Sequence, residues 1–261
     1  MIETVFFEDL ISSLPTNFYK IIFLQFFLSG LSMLWWKKAD FWRKLSVKYE
    51  GVQKIHKGVI PRVGGLLVFF SLFLLTILST DNNQNLYLLS IVICLLPLVI
   101  ISSVEDFFHN IRPIFRLISI FFSALLLITY TDITLPTLEL PIIKLLFQFE
   151  YIKYLFFILC LASLANGMNI IDGANGLLGF TTICQIFSII FLASTVNDIS
   201  VLNLCYVFLI PLIIFMLFNY PFGSIFAGDT GAYFFGFFIG FIIILFFGKH
   251  PTISSWNAVL I

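Results

Sequence analysis

Long apolar runs, each broken by a short polar stretch, follow one another along most of this chain. A membrane-spanning helix needs about 20 mostly apolar residues. By that measure the pattern predicts spans near 18–36, 63–80, 86–104, 114–131, 152–168, 177–196, 201–218 and 231–248, with a ninth opening at Trp256. The expected fold is therefore all-α: a polytopic transmembrane helix bundle of eight complete spans plus the start of a ninth. The connections are short, and no internal repeat or low-complexity linker interrupts them. Residues 1–261 are accordingly expected to form a single domain. Segment 1–15 carries Glu3, Glu8 and Asp9 among apolar residues and is expected to lie at the membrane interface. It has no basic n-region or small-residue cleavage site, so no cleavable signal peptide is expected.

Composition strengthens this picture. The 261 residues are 60% hydrophobic and 11% charged, with a mean hydropathy of +1.07. Soluble globular chains are about a quarter charged, and no soluble core could hide 34 Phe residues. Lipid is the solvent that fits. Cys94, Cys160, Cys184 and Cys205 all sit inside apolar runs and form no CxxC pair, which reads as packing and excludes neither redox compartment.

Charge then orients the bundle. The net charge is zero, but eight of the 14 basic residues fall between the first two spans: Lys37, Lys38, Arg43, Lys44, Lys48, Lys54, Lys57 and Arg62. Arg112 and Arg116 lie two loops later on the same side, whereas Lys144, Lys153 and Lys249 belong to the opposite side. Basic residues in short loops mark the cytoplasm, so the N-terminus is expected to face the periplasm. Every notable polar cluster then falls on the cytoplasmic face, although the acids and amides in those clusters were not used to set the orientation.

Four such clusters carry candidate chemistry. His56-Lys57-Gly58-Val59-Ile60-Pro61-Arg62-Val63-Gly64-Gly65 brings cations and backbone N–H groups to a helix start, an arrangement suited to phosphate. An ordinary basic anchor fits the same residues. Ser102-Ser103-Val104-Glu105-Asp106 places adjacent carboxylates at the end of a span, where acids default to function; Arg112 and Arg116 could instead simply balance them. Segment 166–177, NGMNIIDGANGL, concentrates Asn166, Asn169, Asp172 and Asn175 among glycines, more polar residues than a turn requires. In segment 219–231, NYPFGSIFAGDTG, Asp229 stands between glycines as a candidate metal ligand, and Phe226 could stack on a base. Mg²⁺ takes one or two carboxylates together with substrate phosphates. Acids converging with Arg and Lys therefore suit a metal-bridged diphosphate and phosphoryl transfer.

These clusters, in this order and on this face, resemble the polyprenyl-phosphate N-acetylhexosamine-1-phosphate transferases, glycosyltransferase family 4, from about His56 onward. Segments 166–177 and 219–236 carry the most specific part of the likeness. The resemblance implies an Mg²⁺-dependent enzyme, with Mn²⁺ as the alternative ion, of the bacterial inner membrane with its active site on the cytoplasmic face. Its partners would be a UDP-sugar, undecaprenyl phosphate and membrane lipid, without nucleic acid; the oligomeric state stays open, a homodimer included. The implied reaction joins sugar-1-phosphate to the lipid phosphate, releases UMP and initiates a cell-envelope glycan.

Carried over residue by residue, the resemblance makes Asp229 the metal ligand, joined by Asp106. It makes Glu105, Asp106 and Asp229 the catalytic acids. Asn166, Asn169, Asp172, Asn175 and Phe226 would bind the nucleotide sugar, with Lys57 and Arg62 beside the diphosphate. Much of the family has Asp-Asp at Glu105-Asp106 and Asp at Asn175. The branch that initiates lipopolysaccharide or O-antigen looks like this chain at both places. The resemblance also implies a histidine-rich cytoplasmic loop after a ninth span, beyond Ile261; neither His109 nor His250 matches it. An inactive scaffold of the same family stays open as an alternative. A transporter is disfavoured because the acids gather at one surface and no repeat is visible. A prenyltransferase or CDP-alcohol phosphotransferase would need Asp-rich repeats that are not present.

Overall fold

The computed structural model describes residues 60–78, 82–131 and 133–261, together with Lys20, Phe23, Leu24, 26–31 and Leu34. Its elements run α1 (Gly64–Leu78), α2 (Asn82–Phe108), α3 (Pro113–Tyr130), α4 (Pro141–Leu146), α5 (Glu150–Ile171), α6 (Leu177–Thr195), α7 (Ile199–Asn219) and α8 (Gly228–Lys249), then a 3₁₀ helix (Ser255–Leu260). Six of them are long and apolar enough to cross a membrane: α2 from Leu86, α3, α5, α6, α7 and α8; α1 is a shorter apolar helix. The chain is an all-helical, multi-pass membrane protein. The span expected at 18–36 lies mostly outside the described residues. Those of it that are described are helical, and Phe26 sets its ring 5.9 Å from that of Phe218 on α7.

Two helices that carry site residues overrun their expected ends. α2 continues past 104 to Phe108, and α5 continues past 168 to Ile171. Glu105 and Asp106 therefore occupy the last turn of α2, and Asn166 and Asn169 the last turns of α5. A count of apolar residues stops where polar side chains begin, but a helix stops where its hydrogen bonds do. Here His109 N–H still reaches the Glu105 carbonyl at 2.8 Å, and Asp172 N–H the Met168 carbonyl at 3.2 Å. At the other end of the chain, the segment expected to open a ninth span closes in 3₁₀ geometry, with Ser254 Oγ accepting from Trp256 N–H. Short segments commonly adopt that tighter turn.

The starts of the helices follow local chemistry. Pro113 and Pro141 open α3 and α4 at positions where a missing N–H costs nothing. Asp198 caps α7 by accepting from Val201 N–H at 3.1 Å.

α8 is the axis of the bundle. It packs against α1, α2, α5, α6 and α7, and 89% of its span is buried inside the protein, against 28% for α5. Its filling is aromatic: Phe208 of α7 lies 5.6 Å from Phe234, 5.6 Å from Phe235 and 4.7 Å from Phe238, in tilted or edge-on pairs. Near its start α8 crosses α1 backbone to backbone, because a Cβ on Gly65 would fall 2.0 Å from Gly231 Cα. Small residues permit such crossings in membrane helices. The antiparallel course gathers 60–63, 105–113, 171–177 and 219–228 at one end of the bundle. Residues 133–150, 195–199 and 249–255 gather at the other.

Candidate active site

The first turn of α8 organises the polar end. A helix begins with unpaired N–H groups and partial positive charge, and those of α8 are met by a side chain from another helix. Asp106 Oδ1 accepts from Asp229 N–H at 2.7 Å, while Oδ2 accepts from Thr230 N–H at 2.8 Å and from Thr230 Oγ1 at 2.7 Å. Asp106 is buried. Gly228 makes room for it: its φ is +74°, and a Cβ there would sit 2.6 Å from Asp106 Oδ2. Ser103 Oγ, one turn back on α2, lies 3.2 Å from Thr230 Oγ1.

Asp229 itself projects from this turn toward α3 and α5. Its Oδ2 is ion-paired with Arg116 Nη1, and its Oδ1 accepts from Asn169 Nδ2 at 3.4 Å. Three helices thus bring Asp106, Arg116 and Asn169 to one acidic residue.

The surrounding loops are tied by backbone bonds. Phe226 N–H donates to the Pro61 carbonyl at 2.8 Å, and Gly64 and Gly65 N–H donate to the Phe226 and Ala227 carbonyls, each at 2.9 Å. Asn219 is buried between two loops, accepting from Gly176 N–H at 2.8 Å and donating to the Ile225 carbonyl at 2.9 Å. Asn175 lies over Gly223, where a Cβ would meet its Nδ2 at 2.5 Å. These contacts hold the 173–176 and 221–227 loops in register over the α8 start.

Of the residues singled out from sequence, Asp106, Asp229 and Asn169 meet directly. Glu105 instead accepts from Ile111 N–H at 2.7 Å and fixes the turn into α3. Asp172 caps the end of α5 as an exposed residue. Desolvation raises its carboxyl pKa to about 6; Arg62 opposes the rise and Asp229 adds to it. Arg62 is exposed and acts on both Asp172 and His109. The His109 imidazole is shifted downward by desolvation first and by Arg62 second, with Glu105 and Asp229 opposing.

Asn166 donates to the Ala162 carbonyl of its own helix at 2.7 Å. Phe226 is half-buried, whereas Phe222 in the same loop is 80% exposed and is the freer aromatic surface. Lys57 lies outside the described residues. From the sequence Arg116 has a place only in orienting the bundle and balancing charge, and neither Asn219 nor Thr230 is singled out. For Arg116 a signal existed, since an ionisable residue inside an apolar helix defaults to function.

Comparison with known proteins decides the family. The sequence profile described as glycosyl transferase family 4 matches residues 88–247, more than half of the chain. The chain belongs to glycosyl transferase family 4. A probable undecaprenyl-phosphate N-acetylglucosaminyl 1-phosphate transferase of Bacillus subtilis is 23% identical over 218 residues, covering 82% of this chain and 60% of that protein. A phospho-N-acetylmuramoyl-pentapeptide-transferase of Campylobacter jejuni is 27% identical over 265 residues, covering 87% of this chain and 72% of its own. An undecaprenyl-phosphate alpha-N-acetylglucosaminyl 1-phosphate transferase of Thermotoga maritima is 23% identical, over 86% of this chain and 63% of its length. The chain thus spans roughly two thirds of the length of these relatives.

A divalent cation in this member of the family would have to fit the acids just described. Among the described residues no three His, Cys, Asp or Glu side chains gather as a cage. A cation that completes its shell with water and substrate phosphate needs none. The hard oxygens of Asp229 would suit it, and the carboxylate already pairs there with a positive guanidinium. Asp106 suits it less, because three of the roughly four acceptor positions of a carboxylate are already filled.

Proposed function

We propose that this chain transfers an N-acetylhexosamine-type 1-phosphate from a UDP-sugar to undecaprenyl phosphate, releasing UMP, at the cytoplasmic face of the bacterial inner membrane. The observation that carries the reading is Asp229. It is a carboxylate presented at a helix start by a buried Asp106, at the end of the bundle where Arg62, Arg116, Asn169 and Asp172 also lie. Family membership and the names of the relatives support the same chemistry.

An oxygen of the lipid phosphate attacks the sugar-proximal phosphorus. The bond to the bridging oxygen of UMP breaks, and that oxygen carries the charge away. The acceptor is already anionic near neutral pH, so no strong base is needed. Positioning and charge neutralisation then supply most of the acceleration. Mg²⁺, or Mn²⁺ in its stead, would be held by Asp229 and would neutralise the diphosphate. Asp106 fixes the Asp229 backbone, and Glu105 fixes the turn that leads to Arg116. Asn169 and Asp172 would bind the donor nucleotide, with Asn175 setting the loop beside them and Arg62 meeting the diphosphate. The lipopolysaccharide or O-antigen pathway is the glycan context we favour, since Glu105-Asp106 and Asn175 look like that branch.

The test is UMP release from UDP-N-acetylglucosamine with undecaprenyl phosphate and Mg²⁺, using the protein in detergent and extending to other UDP-sugars. Metal-dependent UMP release that requires the lipid acceptor is expected. UMP release that ignores the acceptor would sink the transfer reading, and so would silence across the whole panel.

A further inference from the structure

Arg116 is held in an unusual way for a charge-balancing residue. It stands in the first turn of α3, ion-paired to Asp229 of α8, and both side chains are largely buried, 18% and 17% exposed. Its Nη1 serves the carboxylate, yet its Nε is buried with no hydrogen-bond partner. A guanidinium presents its donors as a rigid fork suited to carboxylate or phosphate, and a buried unpaired N–H is costly. The Nε–H donor is therefore unsatisfied in the pair Arg116 now makes.

Asp229, by contrast, does not depend on Arg116 for its position. Asp106 holds its backbone N–H at 2.7 Å, and Asn169 reaches its other oxygen. The guanidinium can leave without moving α8.

We propose that Arg116 is a displaceable counter-cation. It neutralises Asp229 until a divalent cation takes that carboxylate, and its guanidinium then turns to an anionic phosphate oxygen of the donor, where Nε–H also finds an acceptor. The inference rests on the reading of Asp229 as the metal ligand. It makes Arg116 a donor-binding residue that links cation loading to donor binding: the site binds metal and nucleoside diphosphate better together than either alone. No bond is made or broken in the exchange; one cation replaces another at a carboxylate.

Two binding measurements on the purified protein, both independent of turnover, test it. Mn²⁺ binding without nucleotide is followed by electron paramagnetic resonance, and UDP binding is measured with and without Mn²⁺. Arg116→Gln removes the competing charge and should tighten Mn²⁺ about tenfold, while weakening metal-dependent UDP binding at least as much. Arg116→Lys keeps the charge and should leave Mn²⁺ affinity near that of the parent, which separates competition from loss of folding. Unchanged or weaker Mn²⁺ binding in Arg116→Gln, with Asp229→Asn losing the ion, overturns the proposal and leaves the Asp229 reading standing. Full Mn²⁺ binding in Asp229→Asn overturns both.

Discussion

The two ends of the bundle each hold a buried acid near the start of a helix, and they use it differently. At the far end Asp198 caps its own helix, α7, and meets two side chains from the close of α8: His250 Nε2 at 2.8 Å and Lys249 Nζ at 3.7 Å. Its carboxyl feels burial, which would raise its pKa, but the His250 bond, the Val201 N–H and Lys249 together bring it below the usual range. Its hydrogen-bond and ion-pair partners come from α7 itself and from the close of α8, and the arrangement reads as a clasp between the two. At the other end Asp106 caps a helix that is not its own, and by doing so aims a second acid, Asp229, at residues from two further helices. A self-capped acid stabilises; an acid whose capping is supplied from elsewhere leaves its neighbour free to bind.

The sharpest way to break this contrast is to remove the aimed acid. Asp229→Ala should lower UMP release about a thousandfold, the scale of losing a key electrostatic contact to the reacting group, whereas Asp198→Asn should leave turnover at the parent rate. Comparable losses in both would show that the ends do not divide their labour. Next come the close backbone contacts. Gly65→Ala places a Cβ 2.0 Å from Gly231 Cα, and Gly248→Ala places one 1.7 Å from the Thr134 carbonyl oxygen. Each should cost about 1–3 kcal/mol, read by thermal unfolding in detergent. Only the first should also weaken Mn²⁺ binding, since it shifts the α8 start.

A smaller effect is expected at Asp172. Its pKa is raised to about 6, so it is protonated below that value and ionised above it. If the carboxylate binds donor, kcat/KM rises with pH through about 6, and Asp172→Asn removes that rise. A profile that keeps its bend in the variant assigns it to another group. The smallest effect belongs to the clasp. His250→Gln should cost no more than about 1 kcal/mol at neutral pH. Because the Asp198 pKa is lowered, its contribution is present above the unfolded carboxylate value of about 3.9. It is lost as pH falls through the folded value below that. Unfolding curves of variant and parent should therefore converge at acid pH.

Much of the architecture was legible because lipid imposes a simple rule: apolar runs of sufficient length become helices. The same rule says nothing about which helix lies in the middle. α8 and α5 are both apolar along their length, yet one is nearly hidden and the other faces outward. The glycines of α8 held a clue, but partners such as Gly65 appear only in three dimensions. At the site, acids and amides flanked by glycine stand out against an apolar background, so Asp106, Asn169 and Asp229 could be picked out. Arg116 could not be paired with Asp229 because 113 positions separate them. Nor does sequence distinguish an acid that binds a ligand from one that caps a helix, and Asp106 was read as the former alone. Asn219, at the end of an apolar run, gave no hint that its amide joins two loops.

The Asp106 carboxylate lying across the start of α8 also matters to anyone designing an inhibitor. A helix start is ordinarily attractive to a phosphate mimic, and here that attraction is already satisfied from within. An anionic warhead aimed at the α8 backbone would have to evict a buried side chain that makes three hydrogen bonds. Compounds that reach the Arg116 Nε–H, or lay a planar group against Phe222, would meet a donor and a surface that the protein has not claimed for itself.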